Sequence, residues 1–174
     1  MQKIVSIDSL DALKMSIQCE TDMQFYYEKA AELVKSDDAE AILKGLAERK
    51  RKHRTELVRW YSRISGKKIL YLNLGKKHKL NTLKECDQDP NDAVRIAKAN
   101  EVELKDFYHT ISRRLLEANL REYFRKLVQE EEQHLALLES SFVEPLTLDQ
   151  EPLEEGDRVY DELGSEEGQN IGVG

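Results

Sequence analysis

The sequence predicts an all-α protein, a four-helix bundle of two antiparallel hairpins followed by an acidic C-terminal tail. Three observations predict this fold. Among 174 residues there are only three prolines and eight glycines, while 35% are charged, a composition typical of helical proteins with charged outer faces. Four segments repeat apolar residues at helical spacing. The connections between them are short, long and short, as expected for two hairpins joined by one long crossover.

The first hairpin is predicted to contain a helix from about Ile7 to Lys35 and a second helix that begins after Ser36. Ser36 is a good N-cap, because its hydroxyl can accept a hydrogen bond from an amide of the first turn. Gly66 is expected to end the second helix, since glycine readily adopts the left-handed conformation found at helix C-termini.

The second hairpin is predicted to begin at Asp89-Pro90, where an N-cap residue precedes a proline at the first helical position. A short break at Glu117–Asn119 separates the third helix from the fourth. The connection between the hairpins, from about Ser65 to Gln88, is long enough to cross the length of the bundle.

The chain is predicted to divide into a bundle over residues 1–142 and a tail over residues 143–174. The tail holds ten acids and one base, a composition that favours a solvated segment over a packed core. We expect the tail to lie against the basic crossover, which includes Lys67 and Lys76, or against a neighbouring subunit.

Six polar side chains interrupt the apolar seams of the helices at one level. They are Glu20, Lys50, His53, Glu101, Glu131 and His134. Buried carboxylates are costly unless they are paired or bound to a metal. Glutamates and histidines on four separate helices therefore indicate a shared site in the interior.

The spacing of these residues strengthens the prediction of a shared site. Glu131 and His134 form a Glu-x-x-His pair, which places both side chains on one face of a helix. Glu20 precedes His53 by 33 residues, and Glu101 precedes His134 by the same number. The two hairpins thus repeat at an offset of 81 residues.

In these residues the chain resembles the rubrerythrin and ferritin-like di-iron proteins, over about residues 6–141. That family carries a Glu on helices one and three and Glu-x-x-His on helices two and four. The resemblance implies a ferritin-like bundle, a homodimer, and an iron centre with oxidoreductase activity. The metal ligands that it implies are Glu20, His53, Glu101, Glu131 and His134. It also implies that Tyr27 and Tyr108 lie beside the ligands.

Three departures from the family pattern limit what can be carried over. Lys50 stands where the family has its first bridging glutamate, and Leu104 stands where peroxidase-type rubrerythrins carry an additional glutamate. Cys19 and Cys86 form no Cys-x-x-Cys pair, so the sequence shows no rubredoxin-like module and the electron donor is not identified. Peroxidase activity is therefore not inferred.

Lys50 changes the charge balance of the expected centre. Four carboxylates would balance two divalent ions, whereas three carboxylates balance one divalent ion and one ammonium. We therefore expect one or two ions per chain, with one favoured, and Lys50 in place of the second. The favoured position is the complete half-site of Glu101, Glu131 and His134. Iron, manganese and zinc all suit such ligands.

The sequence leaves two alternative hypotheses for the function. In a metal-free structural or interaction bundle, Lys50 would bridge Glu20, Glu101 and Glu131 in a buried salt-bridge cluster. DNA binding through the basic residues near His53 is a minor alternative, and the net charge of −7 argues against a nucleic-acid partner. No apolar run approaches the length of a membrane span, and we expect a cytoplasmic protein.

Overall fold

The computed structural model describes residues 6–69 and 90–141, and in the second range the side chains from residue 93 onward. These residues form helices and no strand, which confirms the predicted all-α class. The helices are α1 (Ser9–Leu33), α2 (Asp37–Ser65), α3 (Pro90–Arg114) and α4 (Ala118–Ser141).

Local capping interactions explain where the first two helices begin and end. The carboxylate of Asp8 accepts hydrogen bonds of 3.0 Å from the amides of Leu10 and Asp11, which satisfies free donors of the first turn of α1. Ser36 caps α2 by accepting from the amide of Ala39. Gly66 has φ +67° and ends α2, as the sequence predicts.

The turn between α3 and α4 lies slightly earlier than expected. The break was predicted at Glu117–Asn119, but α4 already includes Ala118 and Asn119. The physical reason is that the carbonyl of Glu117 accepts a hydrogen bond of 2.9 Å from the amide of Arg121. Glu117 therefore serves as the N-cap, and the residues after it are free to be helical.

Two contacts between α1 and α3 define the direction of the helices. The amide of Ile7 donates to the carbonyl of Arg114 at 3.2 Å, so the start of α1 meets the end of α3. The hydroxyl of Tyr26 donates to the carbonyl of Ala93, so the later part of α1 meets the start of α3. Helix α1 is thus antiparallel to α3, and the short connection to α2 makes it antiparallel to α2 as well.

It follows that α2 and α3 point the same way, and that the end of α2 and the start of α3 lie at opposite ends of the bundle. This arrangement requires a crossover between two hairpins, which is ferritin-like connectivity. The crossover residues 70–89, the expected cap at Asp89 and the acidic tail lie outside the described residues. Within the described ranges, no helix is long and apolar enough to cross a membrane.

Apolar side chains fill the bundle on both sides of the polar level. Leu46 and Leu57 flank Lys50 and His53 on α2, and both leucines are fully buried. Each such side chain contributes about 1.5–3 kcal/mol through its removal from water. The polar residues are therefore held in a packed and dry interior, where electrostatic interactions are strong.

Candidate metal centre

The structure brings all six polar seam residues together in the interior of the bundle. None is more than 6% exposed, and each of the four helices contributes at least one of them. The residues are Glu20 on α1, Lys50 and His53 on α2, Glu101 on α3, and Glu131 and His134 on α4. Because helical spacing turns each of these side chains inward, the two hairpins supply one layer of charge.

Within this layer the described residues contain two groups that are suited to a metal ion. One consists of Glu20, His53 and Glu131, and the other of Glu101, Glu131 and His134; in each group, one potential ligand atom per residue lies within 4.8 Å of the others. Glu131 belongs to both. Carboxylate oxygen and imidazole nitrogen are donors that suit iron, manganese or zinc.

Lys50 already engages the group of Glu101, Glu131 and His134. Its ammonium donates to Oε2 of Glu131 and, at 3.1 Å, to Glu101. Oε1 of Glu101, which also lies 3.1 Å from the ammonium, accepts from the hydroxyl of Tyr27. Nδ1 of His134 donates to Oε2 of Glu131 at 3.0 Å. Both oxygens of Glu101 and Oε2 of Glu131 are therefore already hydrogen-bonded.

The group of Glu20, His53 and Glu131 has potential metal-ligand atoms that make no hydrogen bond. Oε2 of Glu20, Nδ1 of His53 and Oε1 of Glu131 are buried without a hydrogen-bond partner among the described residues. Nδ1 of His53 lies 3.4 Å from Glu20 and 3.5 Å from Glu131. A buried polar atom without a partner costs about 1–3 kcal/mol of folding stability. Three such atoms at one point are therefore expected to bind a metal ion or to share a proton.

Two tyrosines support the glutamates across the interface between α1 and α3. Tyr27 on α1 donates to Glu101 on α3, and Tyr108 on α3 donates to Glu20 on α1. Burial and the facing carboxylate raise the pKa of each tyrosine well above its usual value. Both hydroxyls therefore stay protonated and fix the orientation of their glutamates. The family resemblance implies that these tyrosines lie beside the ligands, and in the structure each hydroxyl contacts a glutamate.

The buried cations keep their protons because the glutamates outweigh the cost of burial. Burial opposes the charge of Lys50, but Glu101 and Glu131 raise its pKa above the usual value. Burial also opposes the charge of His53, yet the charge of Glu20, the hydrogen bond to Glu130 and the nearby carboxylate of Glu131 raise its pKa to about 11. In the metal-free protein, both side chains are therefore positively charged at neutral pH.

Glu101 and Glu131 respond to this environment in opposite ways. Burial and the charge of Glu131 raise the pKa of Glu101 to about 7. Burial acts on Glu131 as well, but the Lys50 ammonium and the hydrogen bonds around it hold its pKa well below the usual range. Glu131 is therefore the carboxylate that remains charged, and Glu101 is the one that can hold a proton.

Glu130 is a residue of the centre that the sequence did not reveal. Its carboxylate accepts from Nε2 of His53, and its side chain is 28% exposed. A bond to one ring nitrogen fixes the tautomer and directs the other nitrogen, Nδ1, toward the group. Glu130 lies beside the inward face of α4, and the internal repeat pairs it with Arg49. Neither its position on α4 nor its counterpart in the repeat could have identified Glu130 as part of the centre.

No curated protein matches this chain. A hypothetical protein from Pyrococcus furiosus, known from its structure, is similar in fold, with a TM-score of 0.62 and 23% sequence identity over 78% of this chain and 88% of that one. The family model for rubrerythrin matches residues 11–141, which span all four helices. By this match and by its ferritin-like bundle, the chain belongs to the rubrerythrin family.

Proposed function

We propose that this protein binds iron at the carboxylate–histidine centre of its bundle and that the bound iron supports oxidoreductase chemistry. The observation that carries the proposal is the set of three buried donor atoms without partners, on Glu20, His53 and Glu131. Membership of the rubrerythrin family also supports iron, because the family generally binds it. Manganese and zinc would suit the same donors.

The side chains have distinct roles in this proposal. Glu20, His53 and Glu131 would hold the ion. The chemistry that bound Fe²⁺ would supply is the transfer of one electron to oxygen or peroxide, which leaves Fe³⁺. Tyr108 orients Glu20, and Glu130 orients His53. The surrounding apolar layers exclude water, which strengthens the interaction of the glutamates with any cation. His53 must release its proton from Nδ1 before that nitrogen can act as a ligand.

The first test is the iron content of the protein. After removal of metal with a chelator and anaerobic loading with Fe²⁺, we expect about one ion per chain or more. His53→Asn should bind much less, whereas His109→Asn, which changes an exposed histidine on α3, should bind as the wild type does. An iron content below a few tenths of an ion per chain in the wild type would contradict the proposal.

A metal-free structural bundle is the second candidate function, and the contacts of Lys50 favour it. Its ammonium donates hydrogen bonds to Glu101 and Glu131 and neutralises part of their charge. This candidate expects Lys50 to bridge all three glutamates, but Glu20 bonds Tyr108 and faces His53 instead. Thermal unfolding with and without added metal ion separates the two functions. A ligand present at 100 times its Kd stabilises the folded state by about 2.7 kcal/mol. Metal binding therefore predicts a higher Tm with the ion, and a metal-free bundle predicts the same Tm.

Other expectations remain predictions. They are a homodimer, a cytoplasmic location, the absence of a nucleic-acid or membrane partner, and an electron donor that the sequence does not identify.

A further inference from the structure

We infer that the centre takes a single divalent cation, held by Glu20, His53 and Glu131, and that the ammonium of Lys50 fills the place of a second ion. This inference rests on the proposed function, since it assumes that the centre binds a metal. It specifies the number of ions and their position. It differs from the position favoured by the sequence, which is the group of Glu101, Glu131 and His134.

The two groups of possible ligands differ in how many of their atoms are already hydrogen-bonded. On the side of Glu101 and His134, the oxygens facing the centre bond Lys50, Tyr27 or His134 itself. On the side of Glu20 and His53, each residue has a free donor atom. A cation entering the first group would have to displace existing hydrogen bonds. In the second group it would meet free oxygens of Glu20 and Glu131 and would displace only the proton on Nδ1 of His53.

The two oxygens of the Glu131 carboxylate have different surroundings. Its Oε2 accepts from Lys50 and His134, and its Oε1 is free on the side of His53. A carboxylate that bridges two cations offers one oxygen to each. Glu131 has this arrangement, with an ammonium as one of the two cations. Its other oxygen remains for one metal ion.

Distances also separate the ammonium from a metal ion. The ammonium of Lys50 lies 3.1 Å from Glu101, whereas zinc binds carboxylate oxygen at about 2.0–2.2 Å. A metal ion and an ammonium cannot both occupy the space between the same two carboxylates. Lys50 is 0% exposed, so its side chain has no nearby water into which it could withdraw.

The charges of the buried side chains also favour one ion. The three fully buried glutamates carry three negative charges when ionised, which one divalent ion and the Lys50 ammonium neutralise. Glu130 is left out of this count because its side chain is 28% exposed and water screens its charge. A second divalent ion would leave two uncompensated positive charges in a buried site, and uncompensated buried charge is strongly unfavourable. In the internal repeat, Lys50 is the counterpart of Glu131 at an offset of 81 residues. The repeat therefore loses one carboxylate and gains one cation at the same position.

The two histidines provide a matched pair of variants that tests the position. They are equivalent in the repeat, and their rings stack with centroids 5.7 Å apart. With Mn²⁺ as the probe in equilibrium dialysis, His53→Asn is expected to weaken binding by at least about 100-fold, because it removes a ligand rather than a residue that supports one. His134→Asn removes only a hydrogen-bond partner of Glu131 and is expected to weaken binding by about tenfold, at the low end for a supporting residue, because Lys50 still bonds the same oxygen. The reverse order would overturn the proposed position.

Variants of Lys50 test the number of ions. Lys50→Glu restores a fourth carboxylate and is expected to raise Mn²⁺ binding from one ion to two per chain, with the electron paramagnetic resonance spectrum of an exchange-coupled pair. Lys50→Gln removes the charge without adding an acid, and its second ion should bind more weakly than in Lys50→Glu. It also serves if Lys50→Glu does not fold. A folded variant of either kind that still binds one ion would overturn the role given to Lys50.

The wild type separates this inference from the proposed function. One Mn²⁺ per chain with the spectrum of an isolated ion supports both. Two ions per chain would overturn the inference and leave the proposed metal binding intact. No bound ion after loading with Mn²⁺ and with Fe²⁺ would overturn both.

Discussion

Replacing Lys50 by methionine tests how strongly the buried cation stabilises the metal-free fold. Methionine has a similar length and no charge, so Glu101 and Glu131 lose their shared partner while the apolar stem of the side chain is kept. Removing one partner of a buried ion pair typically costs about 3–5 kcal/mol. Lys50, Glu101 and Glu131 are each 0% exposed, so solvent does not screen this loss.

The expected loss is large relative to the stability of a folded domain, which is about 5–15 kcal/mol in total. For a chain of this size, 1 kcal/mol corresponds to about 2–4 °C in Tm, so Lys50→Met should lower Tm by about 6–20 °C. The loss of folding stability caused by Lys50→Met should be smaller at pH 5 than at pH 8. Without the ammonium, the two carboxylates take up a proton more readily, and protonation at low pH relieves their repulsion.

Urea denaturation followed by circular dichroism, with a chelator present at both pH values, measures this effect. The matched control is Lys44→Met, which removes an exposed lysine paired with Glu40 and should not change the midpoint measurably. If Lys50→Met unfolds at the wild-type midpoint, or loses more stability at pH 5 than at pH 8, the account of Lys50 as the counter-ion of the glutamates is wrong.

Three further variants probe the neighbours of the glutamates. Glu130→Gln should weaken Mn²⁺ binding by about 10–100-fold, because His53 loses the partner that orients it, while the exposed Glu132→Gln should have no effect in the same dialysis; equal binding in both would contradict the role of Glu130. Tyr108→Phe should destabilise the metal-free protein by about 1–3 kcal/mol, since a buried oxygen of Glu20 loses its donor, and a urea midpoint equal to that of the wild type would argue against this bond. The stabilisation that His53 gives the metal-free fold should be complete below about pH 6.5, its unfolded pKa, and should fall as the pH rises toward its folded pKa of about 11. His53→Asn measured from pH 6 to pH 11 should therefore approach the wild type in stability, and a difference that grows with pH would refute the assignment.

Much of the fold was predictable because it follows from local chemistry. Ser36 and Gly66 mark the ends of α2 through capping and left-handed geometry, and the structure confirms both. The turn before α4 was placed too late because Glu117, Ala118 and Asn119 do not differ enough in helical preference to show which of them is the cap. That choice depends on backbone hydrogen bonds that only the folded chain displays.

The candidate site was predictable to the level of its residues, since acids and imidazoles on apolar seams are conspicuous. The sequence did not, however, predict which carboxylate oxygen faces which cation. The division of Glu131 between Lys50 and His53 depends on side-chain rotamers in the packed interior. The contact of Glu130 with His53 arises between two helices that are distant in sequence, and spacing within one helix carries no information about it.

The most direct test of the account is an anomalous-scattering map of crystals grown with Mn²⁺ or Fe²⁺. The account predicts one peak per chain, within bonding distance of Glu20, His53 and Glu131, with the ammonium of Lys50 still against Glu101. Two peaks, or a single peak between Glu101 and His134, would contradict it.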